Sequence, residues 1–261
     1  MSNFPVRHQL APGAEKVYST TKATVLGAYG ETPDGRIFRY ALNSTAAALA
    51  AGVVVQGQSQ ASGSSIGTYA DALTAALANG VGATIATGVT TITLTTGSTA
   101  MAANQYQDGY LYVKVGPGSG SFLIKQHTSG SSANGLSIEL YAGDKIDRVA
   151  HTTATRYALQ RNPFADVIVA PAAATGSPLG VAHTSVPASN YFWLQVGGYA
   201  PTQTSGGVVI PSDRFVLSTS QAGAVIAATT VDPDQLRATV GWGIHIGVTS
   251  ALIDMIHLAI D

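Results

Sequence analysis

The sharpest candidate for chemistry is a serine in a glycine-rich segment. Residues 63–67 match the G-x-S-x-G pattern of a nucleophile elbow centred on Ser65, and Asp144 and His151 follow in the order that such hydrolases use. The elbow has to follow a strand directly, yet the mostly polar residues 56–62 separate it from the preceding apolar run. The downstream sequence also lacks alternating strands and helices. We therefore interpret the segment as a loop and keep a serine hydrolase as a remote alternative.

Two further motifs are incomplete. Residues 19–22 give S-x-x-K, but the Ser-Asp-Asn and Lys-Thr-Gly boxes that accompany this motif in serine acyl-transfer enzymes are absent. Residues 116–121 read GPGSGS without the terminal Gly-Lys-Ser/Thr of a phosphate-binding loop. We predict a hairpin turn there.

The histidines and carboxylates form no known metal motif. Asp144 and Asp147 flank a lysine, and Asp232 and Asp234 flank a proline, which fits turns in which carboxylates cap backbone N–H groups. No H-x-H or H-x-x-x-H spacing occurs. We therefore predict no catalytic residue, no metal site and no cofactor, with ordinary structural or surface roles for the six histidines: His8, His127, His151, His183, His245 and His257.

The segment Tyr191, Phe192 and Trp193 has two interpretations. Three consecutive aromatic residues are typical of a strand packed on a core, because such side chains bury a large apolar area. The alternative is an exposed platform that contacts a partner or stacks on a sugar. We predict a core strand and keep the contact surface open.

Most of the chain reads as short strands separated by turns. A Pro33-Asp34-Gly35 turn joins two of them, and Ile92 and Leu94 alternate with threonines as in a half-buried strand. From residue 110 onward, apolar runs alternate with glycine-rich turns about every ten residues, as in antiparallel sandwiches and barrels. Residues 251–260 fit either a helix or a strand, and we predict a strand.

The predicted fold class is mainly β, with an antiparallel sandwich-like or barrel-like core, an extended N-terminal arm and one short helix. The arm is residues 1–20, since prolines interrupt it and periodicity is lacking. A small β-rich region with an Ala/Thr-rich insertion follows over residues 21–105, and residues 106–261 form the main β-domain. The helix is expected at about residues 69–79, where a capping box precedes helically spaced alanines and leucines.

Composition restricts the function further. Only 10% of residues are charged, the net charge is -1, and Ala, Gly, Ser and Thr together make up about 46% of the chain. A nucleic-acid partner is not expected, because the required excess of positive charge is missing. The absence of cysteine excludes disulfides and thiolate chemistry. Interface cores are poor in charge, so the composition favours a component of an assembly.

Targeting signals are not evident in the sequence. Residues 1–10 lack the apolar stretch of a signal peptide, and the longest apolar run, residues 46–55, is too short to span a bilayer. We therefore expect neither export nor membrane association.

Three segments together resemble virion structural proteins of tailed bacteriophages. They are residues 32–56, with the element G-R-x-F-R-Y-A; residues 108–127, followed by GLSIELYAG; and residues 191–215, with the pattern Y-x-W-x-Q-x-x-G. These segments make up about 30% of the chain. Among such virion proteins, the chain is most similar to capsid decoration proteins, also called cement proteins.

The resemblance implies a head protein without catalysis, made in the host cytoplasm and located on the capsid surface of the virion. Its implied partners are the major capsid protein and further copies of itself, with a trimer favoured. The alternative is a tail or fibre component that binds host surface glycans. The expected contact residues lie in the arm and in the aromatic segment: Phe4, Pro5, Val6, Arg7, His8, Tyr191, Phe192 and Trp193.

Overall fold

The computed structural model divides the chain into two compact units. Unit 1 combines Met1–Ser59 with Pro163–Asp261, and unit 2 is Gln60–Asn162. Unit 2 is therefore an insertion in unit 1. The structure describes residues 7–57, 73–74, 85–94, 101–115, 120–130, 135–146, 149–152, 155–173, 175–205, 212–228, 238–244 and 253–260.

Short strands dominate both units, because β-branched and aromatic residues alternate with small or polar ones between glycine-rich turns. A 3-10 helix spans Ala14–Lys16. In unit 1 the strands are β1 His8–Gln9, β2 Tyr18–Ser19, β3 Tyr29–Glu31, β4 Ile37–Leu42, β5 Val54–Gln56, β12 Ile168–Val169, β13 Pro178–Val181, β14 Tyr191–Gln203, β15 Arg214–Leu217, β16 Val225–Ala227, β17 Thr239–Gly243 and β18 Ile253–Ala259. In unit 2 they are β6 Leu73–Thr74, β7 Thr91–Leu94, β8 Tyr110–Val115, β9 Ser121–His127, β10 Leu136–Leu140 and β11 Arg156–Gln160.

Unit 1 is built on one sheet with the order β1-β3-β4-β14-β18-β17-β15-β16, to which β2, β5, β12 and β13 add as branches. Strand β1 runs parallel to β3, and the other strand pairs among the described residues are antiparallel. This mainly β, antiparallel architecture confirms the predicted fold class.

The long strand β14 changes partner halfway along. Residues Tyr191–Gly197 pair with β4, and Gly197–Gln203 pair with β18. The register shifts between Gln195 and Gly197, and Gly198 has a φ of 77°, which side-chain-bearing residues rarely adopt. The bend lets β14 pack against two separate hydrophobic clusters of unit 1, one including Phe192 and Leu194 and the other including Ala200.

The ends of the insertion lie close together. A Cβ atom added to Gly57, just after β5, would be 3.2 Å from the carbonyl oxygen of Pro163, where the chain re-enters unit 1. Insertions with adjacent ends disturb the host fold little. Unit 1 therefore forms its core from residues on both sides of the insertion, such as Val54 and Val181.

Unit 2 has its own sheet and core. Its strand order is β6-β11-β8-β9-β10-β7, and the pairs are antiparallel. In β7 the exposed threonines alternate with buried Ile92 and Leu94, as predicted. These side chains pack with Leu111, Ile124 and Tyr157 in a continuous cluster.

Several local predictions are confirmed. Strands β3 and β4 flank the Pro33-Asp34-Gly35 turn, and Gly35 has a positive φ of 81°. The ambiguous C-terminal segment is a strand, β18. Residues 116–119, in the predicted hairpin turn, lie outside the described residues.

The predicted helix and domain division differ from the structure. Within residues 69–79 the structure describes Leu73–Thr74, which form a strand paired with β11, so the helix is wrong at these two positions. The rest of that range lies outside the described residues. The predicted division after residue 105 falls inside unit 2, because β7 and β10 lie on either side of it in sequence and pair with each other.

The N-terminal segment is extended, but it is not free over residues 8–19. Strand β1 pairs with β3 and β2 pairs with β14 of the same chain. These residues are therefore attached to the sheet of their own chain, and a contact of the arm with a neighbouring subunit stays a prediction. Residues 1–6 lie outside the described residues.

Candidate functional site

Three of the predicted contact residues, one from the arm and two from the aromatic segment, meet in one aromatic cluster of unit 1. The cluster consists of His8, Tyr40, Tyr191 and Trp193. The ring centroids of His8 and Trp193 are 5.7 Å apart, and Tyr40 lies edge-on to Trp193 at 5.1 Å and stacks on Tyr191 at 5.7 Å. The aromatic segment thus anchors the N-terminal strand of its own chain.

A glycine makes room for this anchor. A Cβ atom on Gly30 would lie 2.8 Å from the indole of Trp193 and 3.0 Å from Leu10. Strand β3 therefore approaches the ring at a distance that only glycine allows. The close packing explains why the half-buried Trp193 is not a free platform.

Phe192 and Arg7 lie apart from the aromatic cluster. Phe192 is 1% exposed and belongs to the opposite face of β14, where it packs in the core. The core interpretation is correct for this residue, and a contact role is wrong. Arg7 is exposed and stacks over Tyr29, with its guanidinium carbon 5.0 Å from the ring centroid. Phe4, Pro5 and Val6 lie outside the described residues.

A largely buried ion pair joins Glu15 of the 3-10 helix to Arg36. Oε1 of Glu15 is 3.3 Å from Nη2 of Arg36, and the backbone N–H of Gly13 donates to Oε2 of Glu15. Burial raises the pKa of Glu15, but the backbone hydrogen bonds and the charge of Arg36 outweigh it and hold that pKa below its ordinary value. Burial and the same Arg36 charge lower the pKa of the nearby His183. Sequence patterns gave no signal for this pair, since its members are 21 residues apart.

The proposed hydrolase residues have other partners where the structure describes them. Oδ2 of Asp144 accepts the backbone N–H of Leu123 at 2.7 Å, and Nδ1 of His151 lies 2.6 Å from the hydroxyl of Tyr157. In a catalytic triad this histidine nitrogen bonds the carboxylate instead. Ser65 lies outside the described residues.

Unit 2 carries a polar groove of about 310 Å³. His127 forms part of its wall and is fully engaged, because its Nε2 accepts the N–H of Tyr106 and its Nδ1 lies 2.7 Å from the carbonyl oxygen of Thr128. Burial lowers the pKa of His127 and keeps the ring neutral. The other lining side chains are polar: Thr91, Asn104, Gln126, Thr128, Ser137 and Glu139. The carboxylate of Glu139 accepts hydrogen bonds from Lys125 and Gln126, and the oxygens of Asn104 and Thr128 accept backbone N–H groups.

Metal ligands do not converge in the part of the chain that the structure describes. No group of three or more His, Asp or Glu side chains is close enough there to hold an ion. The same residues include no helix long and apolar enough to cross a membrane.

The sequence analysis missed an exposed apolar surface, which we call the β18 face. It lies on the solvent side of β14, β17 and β18. In β18 the buried residues Ile256 and Leu258 alternate with exposed ones, so both sides of the strand are apolar. Apolar residues on both sides of the strand made residues 251–260 compatible with either a helix or a strand. The same pattern was the sequence signal for an exposed apolar surface. The β18 face consists of Tyr199, Trp242, Ile244, Ile253 and Met255.

Comparison of the chain with protein-family models, with curated proteins and with solved structures finds no match.

Proposed function

We propose that this chain is a structural virion protein that binds the outside of a phage capsid and stabilises the shell as a decoration protein. The observation that carries the proposal is a mainly β chain that is only 10% charged and that exposes a large apolar surface, the β18 face, for contact with other protein chains. Exposed apolar patches of this kind mark interaction sites. The resemblance of three segments to phage virion proteins supports a phage shell as the assembly.

The architecture suits a protein that holds other proteins together. A broad antiparallel sheet gives unit 1 a contact surface supported by a packed core, and the buried ion pair fixes the N-terminal segment to it. Several copies bound to a repeated lattice gain avidity without any single strong contact. Catalysis and a bound cofactor are not needed for this role.

Copy number in purified particles tests the proposal. Quantitative mass spectrometry compares the amount of this chain with that of the major capsid protein. We expect similar copy numbers for the two chains, and loss of this chain should lower the temperature at which the shells break. A handful of copies per particle, or none, would overturn the decoration role.

The polar groove of unit 2 favours a second candidate, a tail or fibre component that binds host glycans. Its hydroxyl, amide and carboxylate groups match the hydrogen-bonding needs of a neutral sugar, and its volume is near the lower limit for ligand sites. This candidate predicts few copies per particle and binding of the purified chain to host cells. The substitution Gln126→Ala should abolish that binding. The control is Tyr110→Ala, which should not affect binding, because Tyr110 is exposed in unit 2 and does not line the groove.

A further inference from the structure

The β18 face is organised in rows across three paired strands. Tyr199, His257 and Trp242 lie directly opposite one another on β14, β18 and β17. The rings of Tyr199 and His257 meet edge to face with centroids 5.3 Å apart. Further along, Met255 lies opposite Pro201, and Ile253 lies opposite Gln203. The apolar side chains of these paired residues are therefore neighbours on one surface, and the exposed Ile244 directly follows β17.

This surface is unusual for the solvent side of an antiparallel sheet. Such sheets normally alternate apolar residues toward the core with polar residues toward water. In β18 the outward residues are Ile253, Met255, His257 and Ala259, none of which carries a formal charge with histidine neutral. Solvation alone does not account for this choice of residues.

The exposed area matches what one partner contributes to a stable interface. The five side chains of the β18 face are between 40% and 57% exposed. Large side chains present roughly 150–250 Å² each when fully exposed, so the face offers on the order of 500 Å² of apolar surface. A standard interface takes about 800 Å² from each partner, of which roughly 57% is apolar. The β18 face therefore supplies enough apolar area for one such contact.

Charge and chemistry favour a partner with the same surface. Two copies of a chain with net charge -1 repel each other little. The outward residues of β18 include no Asp, Glu, Lys or Arg that would select an oppositely charged partner. Tyr, Trp and Met are the side chains that interfaces favour. We propose that the β18 face is the contact through which copies of this chain associate with one another.

The inference deepens the proposed function by giving its oligomer a surface, but it concerns the free protein. The test therefore uses the full chain in solution, without shells. If the chain is monomeric in solution but binds shells, the self-association proposal is wrong and the decoration role stands. If the chain is oligomeric in solution but absent from phage particles, the self-association proposal stands and the decoration role is wrong.

Sedimentation velocity over a micromolar concentration series is the measurement. The wild-type chain should sediment as an oligomer, and Met255→Glu should sediment as a monomer. In the oligomer, Met255→Glu would bury a carboxylate at the contact, close to the same carboxylate of the other copy. We therefore expect the dissociation constant to rise at least about 100-fold. Val17→Glu is the matched control, because Val17 is 63% exposed in unit 1 and lies outside the β18 face.

A second variant separates dissociation from misfolding. Ile253→Lys places a positive charge on the same face at a 56% exposed position. Both variants should retain the circular dichroism spectrum of the wild type. Wild-type protein that is monomeric throughout the series would overturn the proposal. So would folded Met255→Glu and Ile253→Lys chains that remain oligomeric, or a Val17→Glu chain that dissociates equally.

Discussion

The carboxylate of Glu15 lies 3.3 Å from the guanidinium of Arg36, although the two residues are 21 positions apart in the sequence. The Glu15 side chain is 4% exposed and that of Arg36 is 20% exposed. Arg36 also bonds Asp34 within the β3–β4 turn, through Nε at 2.7 Å. The pair therefore ties the 3-10 helix of the N-terminal segment to the sheet of unit 1.

Neutralising Glu15 should loosen this attachment. Glu15→Gln keeps the shape of the side chain but removes the charge that faces Arg36, and we expect it to lower the free energy of unfolding by about 1–3 kcal/mol. Urea unfolding measures the change. Glu139→Gln is the control, because Glu139 pairs with Lys125 at an exposed site, where solvent screens the interaction and its loss should change the stability less.

The stability provided by Glu15 should depend on pH in a defined direction. The pKa of Glu15 is lowered in the folded chain, so the folded state holds the proton less tightly than the unfolded state. Its contribution is present above the ordinary value of 4.5 and decreases as the pH falls below it. The difference between wild type and Glu15→Gln should therefore shrink from pH 6 toward pH 3. A constant difference would contradict this assignment.

The two faces of β14 lead to contrasting predictions for adjacent residues. Phe192→Ala removes a ring from the core of unit 1 and should cost about 3–5 kcal/mol in unfolding free energy. Trp193→Ala removes the ring that His8 covers and should mainly release β1. Hydrogen exchange of the Leu10 amide, which donates to Glu31, measures that release. Equal acceleration of Leu10 exchange in both variants, once global stability is allowed for, would contradict the prediction.

The sequence predicted the strands well where one side is apolar and the other polar. In β7 the alternation of Ile92 and Leu94 with threonines specifies both the strand and its buried side. The expected helix at residues 69–79 rested on spacing alone, and pairing with β11 determines the structure of Leu73–Thr74. Local patterns do not report such distant pairing.

The candidate sites were harder to predict for the same reason. The contact of His8 with Trp193 joins residues 185 positions apart, and nothing in either segment specifies it. The domain division failed because unit 1 is assembled from segments on both sides of an insertion. The β18 face could have been predicted in part, because a strand that packs on one core needs apolar residues on one side only, and β18 has them on both sides.

His127 should remain neutral in the folded chain at pH values where a free histidine is protonated. Burial lowers its pKa, and Tyr106 and Thr128 hold both ring nitrogens. Since the unfolded state then binds more protons, stability should fall as the pH drops below about 6.5, the ordinary value, toward the lower folded pKa. Ring ¹⁵N shifts across this range measure the titration. A midpoint for His127 at or above 6.5 would contradict the prediction.

Deletion of residues 1–6 gives a sharper test of the arm than deletion of residues 1–20. The longer deletion removes β1, the 3-10 helix and β2, so it damages unit 1 as well as any contact. If the chain decorates a shell through Phe4, Pro5 and Val6, removing residues 1–6 should weaken binding to shells that lack this protein. The unfolding temperature of the same variant separates lost attachment from lost stability. Undiminished shell binding would end the role of these residues in attachment.

Gly241 controls the pairing of β17 with β18, and with it the geometry of the β18 face. A Cβ atom at this position would overlap the carbonyl oxygen of His257 on the neighbouring strand, and backbone atoms cannot move aside without separating the strands. Gly241→Ala should therefore lower the free energy of unfolding by about 1–3 kcal/mol or more and weaken self-association. Gly35→Ala is the control for backbone strain, since Gly35 has a φ of 81° with open space around it, and it should cost about 1–2 kcal/mol while leaving self-association intact. Urea unfolding and sedimentation velocity on both variants check the two effects, and a Gly241→Ala chain that is as stable and as oligomeric as wild type would mean that the two strands tolerate a wider spacing.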